Sequence, residues 1–362
     1  MTHDTSKYSE SGVAGRGAED ALSGLLRHVL PTRAFQKRHP TTINIGYFAN
    51  VIDAGNGLGV AFSTDGVGTK IIVAELMQRF DTIGIDCVAM NVNDAICVGA
   101  RPVSMVDYIA CDGVDVKTFS DIGKGLAEGA RQASIHISGG EISQIGEIIT
   151  GIDLVGACIG FVPLDRVNTG KHVKPGNLIV GLASTGVHSN GLTLARKVLL
   201  GKTREEQKAN VGKYSSDLGR SFGEELLEPT RIYVAPVMEM LDAGIDLKAM
   251  VHITSGGFGN LNRVEADNIR FVIDPPQPVP AVFQLIQDLG GVDDAEMYEV
   301  FNMGTGFCLV VEDTKAVAAV SAICKKHGVP CQVIGQVEPF QGKEVYIPQK
   351  RLRAVEQSFR KE

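Results

Sequence analysis

Several features are missing from this 362-residue sequence, and each absence removes a class of function. No stretch approaches the ~18 consecutive apolar residues of a membrane-spanning helix, so no membrane association is expected. Met1 to Lys7 lead into no apolar run, which argues against a secretory leader. Lysine and arginine form no cluster, and 35 of them against 42 acidic residues leave a net charge of -7. A surface that neutralises nucleic-acid phosphates needs the reverse, so a small-molecule partner is expected. The seven cysteines (Cys87, Cys97, Cys111, Cys158, Cys308, Cys324 and Cys331) contain no C-x-x-C pair and lie mostly in apolar segments. That pattern predicts buried free thiols and a cytoplasmic location.

Two familiar catalytic motifs are also absent. Gly201-Lys202-Thr203 ends like a Walker A loop, but Arg196 stands where the first glycine belongs. Gly186 to Gly191 resembles a nucleophile elbow with one residue too many before the serine, which argues against a serine hydrolase.

What is present is a chain too long for a single core of ~100–150 residues, with 44% hydrophobic residues and 42 glycines. Turn formers concentrate at Pro163 to Gly170 and Pro175 to Asn177, predicting domains at 1–169 and 170–345 followed by a tail, 346–362. Strands are expected at Leu58 to Ser63, Gly151 to Phe161 and Leu178 to Leu182. Helices are expected at Phe80 to Val98, Val116 to Ser134, Leu192 to Leu200 and Tyr233 to Asp242. Strands and helices mix in both halves, so the fold class is α+β, or mixed α/β. Residues 201–221 are polar and irregular and read as an exposed insertion.

The segment Ser63-Thr64-Asp65-Gly66-Val67-Gly68-Thr69-Lys70 follows a strand and precedes a helical run. Its glycines free backbone N–H groups for an anion, Lys70 adds positive charge, and Asp65 offers a hard oxygen for magnesium. Read alone, it fits an ordinary strand-to-helix turn with a solvated lysine equally well. Asp86, Asp94, Asp107 and Glu141 recur at places where a carboxylate needs a reason. Each singly fits a cap or surface role, whereas together with Asp65 they point to a magnesium site. His188-Ser189-Asn190-Gly191 and His252 to Asn260 are polar, glycine-containing turns. They suit a phosphate or sugar, or ordinary caps and structural histidines.

In order along the chain, seven strings resemble the phosphoribosylformylglycinamidine cyclo-ligase family, the aminoimidazole ribonucleotide synthetases. They are Ser63 to Lys70, Asp81 to Asp94, Gly139 to Glu141, His188 to Gly191, Pro229 to Tyr233, His252 to Phe258 and Met297 to Gly306. The resemblance implies a fold in which the N-terminal domains of two subunits share a barrel, making a homodimer with the active site in a cleft between domains. It implies ATP and Mg2+ as cofactors. The reaction it implies is phosphorylation of the formyl amide oxygen of formylglycinamidine ribonucleotide, then ring closure to aminoimidazole ribonucleotide in purine biosynthesis. Residue by residue, it implies Asp65, Asp94 and Glu141 as metal ligands. Asp65, Gly66, Gly68, Thr69, Lys70, Asn93, Asp94, Gly139 and Gly140 would lie on the nucleotide. His188, Ser189, Asn190, Gly191, Arg231, His252, Ser255, Gly256 and Asn302 would lie on the substrate. His252, His188 and Lys70 are the catalytic candidates, with His252 the preferred proton carrier.

The chain departs from the family's pattern at Gly12 to Glu19, Ile45 to Val51 and Ile142-Ser143. Related enzymes fit less well. A selenophosphate synthetase would carry a cysteine before Cys87, and the hydrogenase-maturation relative would end in cysteine rather than Arg360-Lys361-Glu362. A thiamine monophosphate kinase would show Gly-Asp-Asp before its glycine loop. Formylglycinamidine ribonucleotide synthetase is a longer, duplicated chain and the nearest rival by substrate. A non-catalytic nucleotide-binding homodimer would not need Asp65, Lys70, Asp94 and Glu141 together.

Overall fold

A computed structural model describes residues 6, 7, 11 and 16–362. Gly12 to Gly15, part of the first departure noted above, lie outside them. The N-terminal half comprises α1 (Arg16–Val29), β1 (Asn50–Gly55), β2 (Leu58–Gly66), α2 (Lys70–Met77), α3 (Ile83–Cys97), β3 (Arg101–Cys111), α4 (Val116–Ala133), β4 (His136–Gln144) and β5 (Ile152–Pro163). The strands form one sheet in the order β1-β2-β5-β3-β4. Asn56 and Gly57, both left-handed, close the β1–β2 hairpin, a turn whose twist matches that of its strands. Strands β3 and β4 are parallel, joined by α4, while β5 runs antiparallel between β2 and β3.

Helix α3 is the hinge of the architecture. Of its fifteen residues only Ile85 and Asp94 are not fully buried, as a helix apolar nearly all round must be when it packs on several sides. It lies against β2, β3, β5 and α4 and reaches across to the second half. Gly84 permits the closest approach: a Cβ there would sit 2.2 Å from the backbone nitrogen of Leu126 in α4.

After an extended linker come β6 (Leu178–Ala183), α5 (Leu192–Leu200), α6 (Arg204–Asn210), β7 (Tyr214–Ser215), β8 (Arg220–Ser221), α7 (Phe222–Leu226) and α8 (Val234–Asp242). Then follow β9 (Leu247–His252), β10 (Ile269–Ile273), α9 (Ala281–Gly290), α10 (Asp294–Val300), β11 (Thr305–Val311), α11 (Thr314–Lys326), β12 (Cys331–Pro339), β13 (Lys343–Ile347), β14 (Leu352–Val355) and β15 (Ser358–Lys361). Eight of these strands make one sheet, ordered β15-β14-β13-β10-β12-β6-β11-β9. Every residue of β11 is buried, consistent with its place between β6 and β9 and its apolar run. The mixed α/β, two-domain reading therefore holds.

Two sequence expectations need correction. Residues 201–221 are largely exposed, as expected, but they are not irregular. Thr203 with Glu206 and Ser221 with Glu224 form reciprocal capping boxes that start α6 and α7, and Gln207 is buried against Arg196. Nor are residues 346–362 a separate tail, because β14 pairs with β13 and β15 with β14, extending the C-terminal sheet. Among the described residues, no helix is long and apolar enough to cross a membrane.

Candidate active site

The glycine-bearing turns at residues 63–70, 188–191 and 252–260 meet α3, at Asn91, Asp86 and Asp94 respectively. Asn91 holds the end of β2 by donating from Nδ2 to the carbonyls of Asp65 (3.1 Å) and Cys87 (2.9 Å). Asp65 Oδ1 accepts from the N–H of Gly66 at 2.7 Å. Burial, with the charge of Asp94 beside it, pushes the Asp65 carboxyl up to about 6, against the pull of the Gly66 N–H and His252.

From the second half, β9 ends on His252, which is fully buried. Its Nδ1 lies 2.8 Å from Asp94 Oδ1, and its Nε2 is buried with no partner among the described residues. A carboxylate on Nδ1 selects the tautomer with the proton on that nitrogen and leaves Nε2 as the basic lone pair. Asn190 Oδ1 accepts from Ser255 Oγ at 3.1 Å, joining the turns that begin at His188 and His252. Gly191 and Gly256 are both left-handed, and at Gly191 a side chain would also strike Phe301.

His188, the other catalytic candidate, is held by the main chain. Its Nε2 accepts main-chain N–H groups from Thr185 (3.1 Å) and Arg231 (3.4 Å). Burial, then the nearby charges of His252, Lys70 and Arg231, holds its pKa well below the usual imidazole value. A neutral ring accepting at Nε2 in this way ties the Thr185 and Arg231 segments together.

Lys70 is likewise not a solvated cation aimed at phosphates. Its side chain has no exposure, and Nζ donates to Asp86 Oδ1 (2.9 Å) and to the carbonyl of Glu228 (2.5 Å). Asp86 Oδ1 also accepts from the N–H (2.7 Å) and hydroxyl (2.6 Å) of Thr230 and from Ser189 Oγ (3.1 Å). Asn93, expected on the nucleotide, is a second tie: Oδ1 accepts from the Tyr233 N–H and Nδ2 donates to the Arg231 carbonyl, both at 2.9 Å. Asn302 is buried and donates to the carbonyls of Gly186 and Val187, shaping the loop before His188. Thr69 meets Thr193 hydroxyl to hydroxyl at 2.9 Å.

The expected three-ligand magnesium site is not preassembled. Among the described residues no group of three acidic, histidine or cysteine side chains is placed to hold a metal. Asp65 and Asp94 are neighbours, whereas Glu141 is exposed on β4 and accepts from the N–H of Ile142. Gly139 and Gly140 are exposed beside it, and a Cβ on Gly140 would strike the Asp107 carboxylate. A cavity of about 530 Å³ opens elsewhere, along the interdomain linker. None of the expected site residues lines it, and two of its cations, Arg101 and Lys248, are already paired with Asp242 and Asp246.

Thr230, Thr193 and the hub role of Asp86 were not recognised from the sequence. Thr230 stood within a noted string, Pro229 to Tyr233, but nothing local marks a threonine whose partner lies 144 residues away.

Comparison with known proteins places this geometry. A model described as AIR synthase related protein, N-terminal domain, matches residues 46–162, and its C-terminal counterpart matches 174–348. The phosphoribosylformylglycinamidine cyclo-ligase of Methanocaldococcus jannaschii is 44% identical over 332 residues, 91% of each chain. That of Methanothermobacter thermautotrophicus is 44% identical over 340 residues, 94% of this chain and 96% of the relative. Among solved structures, a thiamine-monophosphate kinase from Stenotrophomonas maltophilia superposes with TM-score 0.60 at 18% identity, covering 88% of this chain and 95% of that one. The hydrogenase maturation protein HypE of E. coli gives 0.56 at 20% identity, covering 84% of each. These two likenesses show a shared fold alone. Relatives at 44% identity over nine-tenths of both chains show more: the chain belongs to the phosphoribosylformylglycinamidine cyclo-ligase family.

Proposed function

We propose that this chain performs the family's ring closure at the cluster formed by Asp65, Asp94 and His252. ATP phosphorylates the formyl amide oxygen of formylglycinamidine ribonucleotide. An amidine nitrogen then attacks the activated carbon, and phosphate leaves as the imidazole of aminoimidazole ribonucleotide forms. The observation that carries the reading is the Asp94–His252 pair, which leaves a buried Nε2 with no partner at the meeting of the domains. An imidazole oriented in this way takes a proton from the attacking nitrogen, while Asp94 stabilises the imidazolium that results.

Magnesium fits the donor set. Asp65 and Asp94 offer hard oxygens; burial first, then the Asp94 charge, raises the Asp65 pKa, and a divalent cation would relieve that repulsion. When bound, the ion neutralises charge on the nucleotide phosphates. The loop Gly66 to Thr69 and the exposed Gly139-Gly140 pair offer backbone to the nucleotide. Ser189, Asn190, Arg231, Ser255 and Gly256 line the substrate side. Lys70, Asn93, His188 and Asn302 hold these loops in place.

The N-terminal sheet supports a homodimer. Leu58, Phe62, Val106, Tyr108, Ile159 and Phe161 are all exposed on one face of it, more large apolar side chains than a sheet face in water tolerates. A second copy covering this face would complete a shared barrel. The activity is tested by incubating the protein with formylglycinamidine ribonucleotide and magnesium ATP. Aminoimidazole ribonucleotide, ADP and phosphate are expected in equal amounts, and phosphate release without the cyclised product would overturn the assignment.

A further inference from the structure

The proposed active site uses none of the seven cysteines, and two of these stand together away from its loops. Helix α11 presents Ser321 and Cys324 on one face, three residues apart. The turn after it is closely fixed, with the Val329 N–H donating to the Cys324 carbonyl at 2.9 Å and Gly328 left-handed. It returns the chain so that Cys331, the first residue of β12, faces that same helix surface. Cys331 Sγ lies 3.8 Å from Ser321 Oγ, one turn along the helix from Cys324, and the two thiols are near enough to shift each other's ionisation. Cys324 is fully buried, whereas Cys331 is half-buried and reachable from solvent.

The environment separates the two thiols chemically. The Cys324 S–H directed at the Cys331 sulfur, helped by the Ser321 hydroxyl, draws Cys331 down to about 6 against the effect of burial. The same hydrogen bond, with burial, raises Cys324. Elsewhere burial alone pushes Cys158 up to about 12 and raises Cys308 further, and burial first raises Cys87 and Cys97 as well. The accessible Cys331 is thus the more readily ionised of the two and the buried Cys324 the less, the order of an attacking and a resolving cysteine.

We propose that Cys324 and Cys331 form a reactive dithiol that a hydroperoxide oxidises to an intrachain disulfide. The Cys331 thiolate attacks the terminal peroxide oxygen. The O–O bond breaks, giving a sulfenic acid on Cys331 and, with hydrogen peroxide, hydroxide that takes up a proton to become water. Cys324 sulfur then attacks the sulfenic sulfur, the S–O bond breaks, and the hydroxyl leaves as water with the Cys324 proton. Two electrons pass from the thiols to the peroxide, and a thiol reductant reverses the step.

The test uses the full-length reduced protein, a small excess of hydrogen peroxide, quenching with N-ethylmaleimide and peptide mapping without reductant. A Cys324–Cys331 linked peptide is expected before any change at Cys87, Cys97, Cys158 or Cys308, and it should disappear on treatment with dithiothreitol. In Cys324→Ser, Cys331 should accumulate as a sulfenic acid that dimedone traps, and in Cys331→Ser the remaining Cys324 should stay reduced. The proposal fails if wild-type Cys331 is trapped by dimedone with no linked peptide. It also fails if Cys331 reacts no faster than the other cysteines. The wild-type map decides between these outcomes even if a variant fails to fold.

Discussion

Lys70 Nζ lies 2.9 Å from Asp86 Oδ1, and neither side chain has any exposure to solvent. The lysine comes from the glycine loop after β2, and Thr230 and Ser189, which share the same carboxylate oxygen, come from the C-terminal half. One buried charge pair therefore sets the position of the loop at 66–69 relative to the Ser189 and Thr230 loops.

Lys70→Met should leave Asp86 charged and buried without a counter-ion. Breaking such a pair from one side costs about 3–5 kcal/mol, so the urea midpoint should fall sharply. Adding Asp86→Asn removes the stranded charge while keeping an oxygen for the Thr230 N–H, and should recover more than half of the loss. Equal stability of Lys70→Met and wild type would show that the pair does not secure the domains.

For His252, the geometry separates proton transfer from binding. His252→Gln keeps a hydrogen-bonding side chain near Asp94 and loses the titratable nitrogen. The maximal rate should drop by ~10²-fold or more with little change in substrate KM. A raised KM at an unchanged kcat would assign the ring to substrate binding. His188→Gln should act differently, lowering thermal stability first, because its ring fastens the Thr185 and Arg231 main-chain groups.

The elements that were legible in the sequence are those with a local signature. Val116–Ala133 is amphipathic and capped by Asp115, so both its period and its start show in the residues themselves. Leu192–Leu200 begins after a left-handed glycine and ends before another glycine. The glycine-bearing turns were legible as a set, and they do meet around α3. The fate of each charge inside that set was not. Lysine beside glycines reads as a phosphate ligand, and only tertiary contact with Asp86 and Glu228 turns Lys70 inward. The two histidines look alike in sequence, yet their partners, a carboxylate for one and main-chain N–H groups for the other, separate their roles. The capping boxes at Thr203 and Ser221 were readable from their S/T-x-x-E spacing, which the polar composition of the segment obscured.

Phe62 on β2 and Ile159 on β5 are register partners, 39% and 42% exposed, near the middle of the apolar face. Covering a side chain of this size stabilises by about 1.5–3 kcal/mol, and a charge in its place would have to be desolvated on assembly. Phe62→Glu should therefore convert a dimer into a monomer by light scattering at micromolar concentration, with an unchanged circular dichroism spectrum. A wild-type monomer, or a Phe62→Glu dimer, would remove this face as the interface.

Asp65 links function to stability through its charge. Its folded pKa, about 6, lies above the ordinary value of 3.8 because burial and Asp94 disfavour the carboxylate. Between those two values the folded state holds a proton that the unfolded state has lost. Stability from this group is thus full below about pH 4 and is lost as pH rises through 6. At roughly 1.4 kcal/mol per pKa unit, the cost above pH 6 is on the order of 1–3 kcal/mol. Asp65→Asn carries no such cost and retains an oxygen for the Gly66 N–H, while losing the negative charge proposed to meet magnesium. The variant should have little turnover even at high magnesium. In EDTA it should melt above wild type at pH 8, with the difference closing as pH falls toward 4. A melting difference that does not depend on pH would mean that Asp65 is not held in its strained, partly buried charged state. Near-normal activity at limiting magnesium would mean that it is not a ligand.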